Sequence, residues 1–214
     1  MPAAAPVRPP AAMPPGERGP TEERILDAAE ALFSRRGLAG TRVREIAEAA
    51  GLKAASLYNY YPSKEALYEA VLDRGIRPLT ERVAGFAGGA AAEVDALVSE
   101  VMTHLAARPQ LCRLIYLETL DDGERLVAMA ERWFRPLFEQ MVTRVRGAMA
   151  AEALPPMSPE DVAAAVALFV HLSFGHFALA PLVRETLGVD PATPSGVAAQ
   201  TRLITQLIQR SFPS

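Results

Sequence analysis

VREIAEAAGLKAASLYNYY, residues 43–61, is the stretch on which the fold turns. Ile46 and Ala47 lie about one helical turn before Ala50, so they share its face. Ala47 is small, as a side chain must be where two helices meet closely. Gly51 tolerates positive φ and so permits a sharp turn. Leu52 and Leu57 then plug a second helix onto the first. Small, apolar, glycine, apolar at this spacing is the pattern of a helix-turn-helix. A generic tight helical hairpin shares it, so the surrounding charge has to discriminate.

Between Arg35 and Lys64 stand six basic residues (Arg35, Arg36, Arg42, Arg44, Lys53, Lys64) and two acidic ones (Glu45, Glu48), a local +4. The chain as a whole carries −3, which leaves −7 for the remainder. The whole molecule is therefore no electrostatic glue for nucleic acid or anionic lipid, but a basic patch coincides with the hairpin. Tyr58, Tyr60 and Tyr61 interleave it with aromatic hydroxyls. Phosphate oxygens accept hydrogen bonds from all of these groups. A solvated basic face has the same composition, and packing is the alternative for Tyr60 and, above all, Tyr61.

Outward from the hairpin the pattern is helical almost throughout, with neither strand alternation nor an internal repeat, so the expected class is all-α. The spacing predicts nine helices. The first covers about 22–36, with Thr21 as N-cap, Glu22 and Glu23 in the first turn, an apolar face through Ile25, Ala28, Ala29, Leu32 and Phe33, and Gly37 as its stop. The next two follow Thr41 and Gly51. A fourth starts after Pro62-Ser63 and runs to about Ala84, bent or broken near Gly75 and Pro78. Five longer, more apolar helices follow at about 91–107, 110–120, 123–149, 159–184 and 195–211. Gly88-Gly89, Pro109, Asp121–Gly123, Leu154–Pro156 and Pro191–Pro194 punctuate them, and Pro136 is placed to kink the third.

Composition narrows the class. The 214 residues are 50% hydrophobic and 22% charged, which excludes a disordered or collagen-like chain and suits a soluble globular one. A single cysteine, Cys112, excludes a disulfide framework and any multi-Cys zinc site and suits a reducing cytoplasm. Residues 1–20 hold seven prolines and five alanines, so they read as a disordered arm. A minor-groove arm is the alternative, with Arg8 and Arg18 as its cations. Val162–Val183 has no Asp, Glu, Lys or Arg over 22 residues, which meets the length test for a membrane span. It also contains His171, His176, Ser173, Gly175 and Pro181, and no basic cluster flanks it. A helix buried among other helices reads the same way.

Residues from Arg24 to about Leu72 resemble the N-terminal domain of the TetR family of bacterial transcriptional regulators. The likeness rests on R-I-L-x-A-A-x-x-L-F from Arg24 to Phe33, then Gly37, Thr41, Ile46-Ala47, Ala50-Gly51-Leu52, Leu57-Tyr58, Tyr61, and Ser63-Lys64-Glu65-x-Leu67. It implies a two-domain, nine-helix architecture: a three-helix DNA-binding domain at 21–68, with its helix-turn-helix at about 42–61, and a helical ligand-binding and dimerisation domain at 69–214. Lys53, Ala55 and Tyr60 depart from the residues many members carry at these positions, which bears on base preference. By chemistry and resemblance together, Thr41 caps the second helix and meets a phosphate. Tyr58, Tyr60 and Lys64 grip phosphates. Arg42 belongs to the basic patch, while Arg44, Lys53, Ala54, Ala55, Ser56 and Asn59 face the groove. Arg44 or Lys53 suits guanine, Asn59 adenine, and the alanines a thymine methyl.

The remaining domain is less legible. Met102, His104, Arg113, Tyr116, Glu118, Trp133, Phe134, Phe169, Phe174 and Phe177 are candidates for lining a mostly apolar pocket with a few polar anchors. Ordinary core accounts for most of them taken singly. Leu203, Ile204, Leu207 and Ile208 stand in adjacent columns of the last helix. With the 159–184 helix they suit an intersubunit four-helix bundle, the usual dimer interface of the family; a purely intrachain core is the alternative. Reading a palindromic operator needs two copies about one DNA turn apart. His171 and His176 are about 140° apart around a helix, a poor arrangement for a shared metal. No metal or cofactor is expected. The expected partners are duplex operator DNA, a small-molecule effector and a second copy, in the cytoplasm and without a membrane. An enzyme using His104, Glu118 or His176 has no motif behind it, and a membrane-associated regulator would rest on the 162–183 run alone.

Overall fold

The computed structural model describes residues 19–85, 91–121, 124–150 and 156–211. Nearly all of the proline-rich arm, the Gly88-Gly89 pair and most of the Asp121–Gly123 and Leu154–Pro156 punctuation lie outside them. Every regular element among the described residues is a helix. The chain divides into two units between Arg74 and Gly75.

In the first unit, α1 spans Pro20–Arg36, α2 Val43–Ala49 and α3 Ala54–Leu57, and α4 begins at Lys64 and ends at Gly85 in the second unit. Ile25, Leu26, Ala29 and Phe33 of α1 are fully buried, as are Ile46, Leu57, Leu67 and Val71. The Phe33 and Tyr68 rings meet edge to face with centroids 5.1 Å apart. The N-cap of α1 is Gly19 instead of Thr21, because Pro20 is pre-set for the first helical position. Gly37 ends the helix at φ 66° while its N–H still donates to the Phe33 carbonyl at 2.8 Å. Gly51, at φ 71°, turns α2 into α3, and the Leu52 N–H reaches back to the Ala47 carbonyl at 2.8 Å.

Ions tie α1 to α4. The Arg74 guanidinium, 3% exposed, lies 3.0 Å from Glu23, 2.8 Å from Asp27 and 2.5 Å from Glu30. Burial pulls its pKa down, but the hydrogen bond and charge of Glu30, followed by those of Asp27, outweigh this and hold it above its ordinary value. Three acids at i, i+4 and i+7 line one face of α1, and one of them, Glu30, is buried.

The second unit continues α4 and adds α5 (Ala91–Ala106), α6 (Pro109–Asp121), α7 (Glu124–Met129), a π-helical turn (Ala130–Phe134), α8 (Arg135–Ala150), α9 (Pro159–Ala178), α10 (Ala180–Leu187) and α11 (Pro194–Ser211). α9 is central and packs on α5, α6, α8, α10 and α11. Its Val162, Val166, Phe174 and Phe177 join Met102, Leu105, Leu111, Trp133, Leu137 and Ile204 in the core. By length and composition α9 is apolar enough to cross a membrane. Its first turn and Ala163, Ala164, Leu168 and His171 are exposed, while other faces pack on five neighbouring helices.

Counting the unbroken run from Glu124 to Ala150 once, the described residues form ten helices, one more than expected. The addition arises at Leu179, where the 159–184 stretch divides: Pro181 cannot continue the ladder of α9 and stands in the first turn of α10. Pro136 is accommodated by the π turn just before it. The Arg135 N–H bonds to the Ala130 carbonyl, five residues back, which moves the proline ring clear of the carbonyl it would otherwise strike. α4 stays helical through Pro78 and is not broken at Gly75. Gly75 instead makes room: a Cβ there would lie 2.6 Å from the Leu111 side chain of α6. The His104 Nε2–H of α5 donates to the Gly75 carbonyl at 2.8 Å.

Candidate functional site

The basic patch lies on α2, α3 and the turns beside them. Arg42, Arg44, Lys53, Ala55, Tyr58, Asn59 and Tyr60 are exposed, and Ala54 and Ser56 are half-buried. Tyr58 and Tyr60 expose half or nearly half of their surface, unusual for large aromatic side chains. Arg36 is occupied, at 2.8 Å from Glu45. That hydrogen bond, with a second from the Arg42 N–H, holds the Glu45 carboxyl below its ordinary pKa. Arg44 and Lys53 are exposed and have no salt bridge among the described residues. Long-range bonds stiffen the base of the patch. Tyr61, 7% exposed, donates its hydroxyl to Glu22 at 2.9 Å, and Arg24 Nε donates to the Ala50 carbonyl.

Two of the expected contact residues point inward. Thr41 is 1% exposed, and its hydroxyl donates to the Gly37 carbonyl at 2.8 Å. Arg42, not Thr41, is the N-cap of α2, and the Glu45 carboxylate accepts from the Arg42 N–H at 3.1 Å. An arginine side chain cannot accept in return, so half of a capping box is formed. Lys64 Nζ donates to the carbonyls of Leu38 at 2.7 Å and Thr41 at 3.0 Å.

In the second unit the candidate ligand residues scatter. Met102 is fully buried, and Phe174, Phe177 and Trp133 are also buried. Phe169 is half-buried and Arg113 is exposed. Tyr116 places its hydroxyl 3.1 Å from where a Cβ on Gly175 would stand. Glu118, buried, is paired with Arg125 at 3.1 Å. Phe134 meets Phe138 edge to face, with centroids 5.8 Å apart, and the tilted ring of Phe174 at 6.3 Å. Two open hollows lie among the described residues. One of about 790 Å³, between α4 and α5, is bordered by Pro78, Arg82, Thr103 and His104. The other, of about 660 Å³, follows α8 past Phe134, Phe138, Val142 and Arg146. His104 and Phe134 are the candidates that border them. No group of three or more His, Cys, Asp or Glu among the described residues is placed to hold a metal ion.

On α11, Leu203 and Leu207 are about half exposed, Ile208 is half-buried, and Ile204 is 1% exposed. One residue step turns about 100° around a helix, which sends Ile204 into its own chain's core and Leu203 outward. Sequence reasoning missed the Arg74 anchor. Its signal was present in the acidic stripe Glu23, Asp27, Glu30, since a buried carboxylate demands a cation.

Residues 25–71 match the family described as bacterial regulatory proteins, tetR family, and residues 91–208 match the tetracyclin repressor-like C-terminal domain. The HTH-type transcriptional regulator RutR of Escherichia coli K12 is 34% identical over 170 residues, covering 77% of each chain. Among solved structures, the transcriptional regulator SCO4942 from Streptomyces coelicolor superimposes with a TM-score of 0.67 at 26% identity, over 90% of this chain and 98% of that one. FadR from Bacillus subtilis, solved in complex with stearoyl-CoA, has the same fold, with a TM-score of 0.68 at 16% identity over 89% of this chain and 98% of its own. A helix-turn-helix unit with an exposed cationic face, followed by a helical unit centred on α9, therefore sits in a chain that belongs to the TetR family of bacterial transcriptional regulators.

Proposed function

We propose that the protein is a cytoplasmic, dimeric repressor that leaves a palindromic operator when a small apolar or aromatic molecule binds its larger unit. The observation that carries the DNA half of this reading is the exposed set Arg44, Lys53, Tyr58, Asn59 and Tyr60, in which the two cations have no salt bridge among the described residues. Arg44 or Lys53 reads a guanine edge, Asn59 an adenine, and Ala54 and Ala55 a thymine methyl; Ser56 and Arg42 support them at the groove. Tyr58 and Tyr60 donate to phosphates.

Supporting the dimer are Leu168 of α9 and Leu203 and Leu207 of α11, apolar side chains that are about half exposed. Supporting the ligand are the aromatic run Phe134, Phe138 and Phe174 and the open hollow beside α8. A ligand releases DNA only if it prefers the shape in which two reading heads are wrongly spaced, since equal affinity for both shapes shifts nothing.

The test is reciprocal. A preferred duplex is selected from a random-sequence pool with the full-length protein. A panel of apolar and aromatic compounds is then titrated while the fluorescence of the single tryptophan, Trp133, is followed, with and without that duplex. An effector is expected to bind about 5–150-fold more weakly when the duplex is present, the range of an ordinary coupling of about 1–3 kcal/mol. Identical affinities in the two titrations rule out induction by that compound.

A further inference from the structure

Lys64 opens α4, where a phosphate grip is the first role its charge suggests. Its ammonium is already engaged. Nζ donates to the carbonyls of Leu38 at 2.7 Å and Thr41 at 3.0 Å, both on the loop that joins α1 to α2. The same loop is closed from within by the buried Thr41 hydroxyl on the Gly37 carbonyl at 2.8 Å. The Leu38 carbonyl also accepts from the Thr41 N–H at 3.4 Å, and the two side chains add bonds to it and to the carbonyls of Gly37 and Thr41, so together they close the loop. α2 starts two residues after Thr41, with Arg42 as its N-cap and Arg44 in its first turn. The loop therefore sets where α2 begins and which way Arg42 and Arg44 leave it.

We propose that Lys64, together with Thr41, is a positioning clamp for sequence reading: it fixes the α1–α2 loop and so aims α2, instead of binding DNA itself. The inference rests on the first unit being the DNA-contacting part. It predicts a different signature from a phosphate contact. Removing a phosphate contact weakens every duplex and lowers the slope of log affinity against log salt by about one. Removing a clamp misdirects Arg44, which costs discrimination, while the charge facing the backbone is untouched.

The experiment uses the full-length protein, the preferred duplex that the wild type selects from a random pool, and a scrambled duplex of equal length. Variants are Lys64→Met, Lys64→Gln, Thr41→Val and the double Lys64→Met/Thr41→Val, each checked by thermal melting. Lys64→Met is expected to lose about tenfold or more on the preferred duplex, to stay within about twofold on the scrambled one, and to keep the wild-type salt slope. Lys64→Gln, which has an amide donor for the carbonyls but no charge, is expected to recover part of the lost discrimination. Thr41→Val is expected to lose discrimination in the same sense. The double variant is then no worse than the weaker single, as for two groups acting on one loop. Thr41→Val carries the test if Lys64→Met does not fold. Equal losses on both duplexes with a slope lower by about one would assign Lys64 to a phosphate and overturn the clamp. Equal losses with an unchanged slope would reduce it to a folding role and overturn it too. If the wild type enriches no sequence from the pool, the DNA reading fails and the clamp with it.

Discussion

At the scale of single residues, exposure separates readers from supports. Arg44 is exposed without a salt bridge among the described residues, so its guanidinium is available to a base edge. Arg44→Ala is expected to cost about 1–3 kcal/mol on the preferred duplex and to relax the preference at one base position. Competition with duplexes substituted one base pair at a time measures both. An even loss across all of them would move Arg44 to the backbone. The residue types of the patch were legible in the sequence, because charge and aromatic hydroxyls can be counted. Their directions were not. Nothing in S-K-E-A-L tells whether a lysine stem extends to solvent or folds back onto carbonyls contributed 23 and 26 residues earlier. That depends on how α4 crosses the α1–α2 loop, a tertiary fact. Ile204 and Leu203 teach the same lesson: their columns were legible, but the neighbour of each column was not.

At the scale of elements, two long-range pins hold helices in place. The first is Arg74 against α1. Arg74→Met takes the guanidinium away from the buried Glu30 carboxylate and is expected to destabilise the protein by about 3–5 kcal/mol, measured by chemical denaturation. Adding Glu30→Met removes the buried carboxylate as well and is expected to recover much of the loss. The second pin is His176 of α9, whose Nε2–H donates to the Pro191 carbonyl at 2.7 Å in the segment between α10 and α11. Burial pushes the His176 pKa below its ordinary value, against the opposing effect of the Pro191 bond. A depressed pKa means that the unfolded chain takes up the proton first. The stabilisation is therefore complete above the ordinary histidine range and falls away as pH drops from about 6.5 towards the lowered value. Melting temperature is expected to fall across that window in the wild type and to fall less in His176→Gln. Parallel pH profiles would assign the loss to other groups. Helix starts and stops on this scale were largely legible, because proline and glycine mark them locally. The π turn was not, because Pro136 can be relieved by a kink, a break or an inserted residue, and the local sequence does not select among them.

At the scale of the whole molecule, the proposed assembly turns on a few exposed leucines. Leu203→Glu with Leu207→Glu would place two carboxylates in an apolar contact between copies. Sedimentation is expected to show monomers, with binding to the palindromic duplex lost and the helical content retained. A folded variant that still sediments as a dimer would move the interface elsewhere on the surface. The all-α class and the helix-turn-helix could be read from periodicity, since each helix signals itself within a few turns. The ligand site was the least legible part. Ten scattered residues shared a composition suited to a pocket, yet the structure buries some in the core, engages Glu118 with Arg125 and leaves Arg113 in solvent. Aromatic content alone does not separate a lining from a core.

The Arg74 cluster also dictates where this protein can be cut and spliced. A chimaera that grafts the reading head onto another regulator's sensor is naturally joined just past the hairpin, for example after Tyr68. That junction discards Arg74, the last residue of the first unit, and leaves Glu23, Asp27 and Glu30 facing whatever the recipient supplies. A junction after Arg74 carries the counter-ion with its acids. The transplantable module is therefore longer than the motif that identifies it.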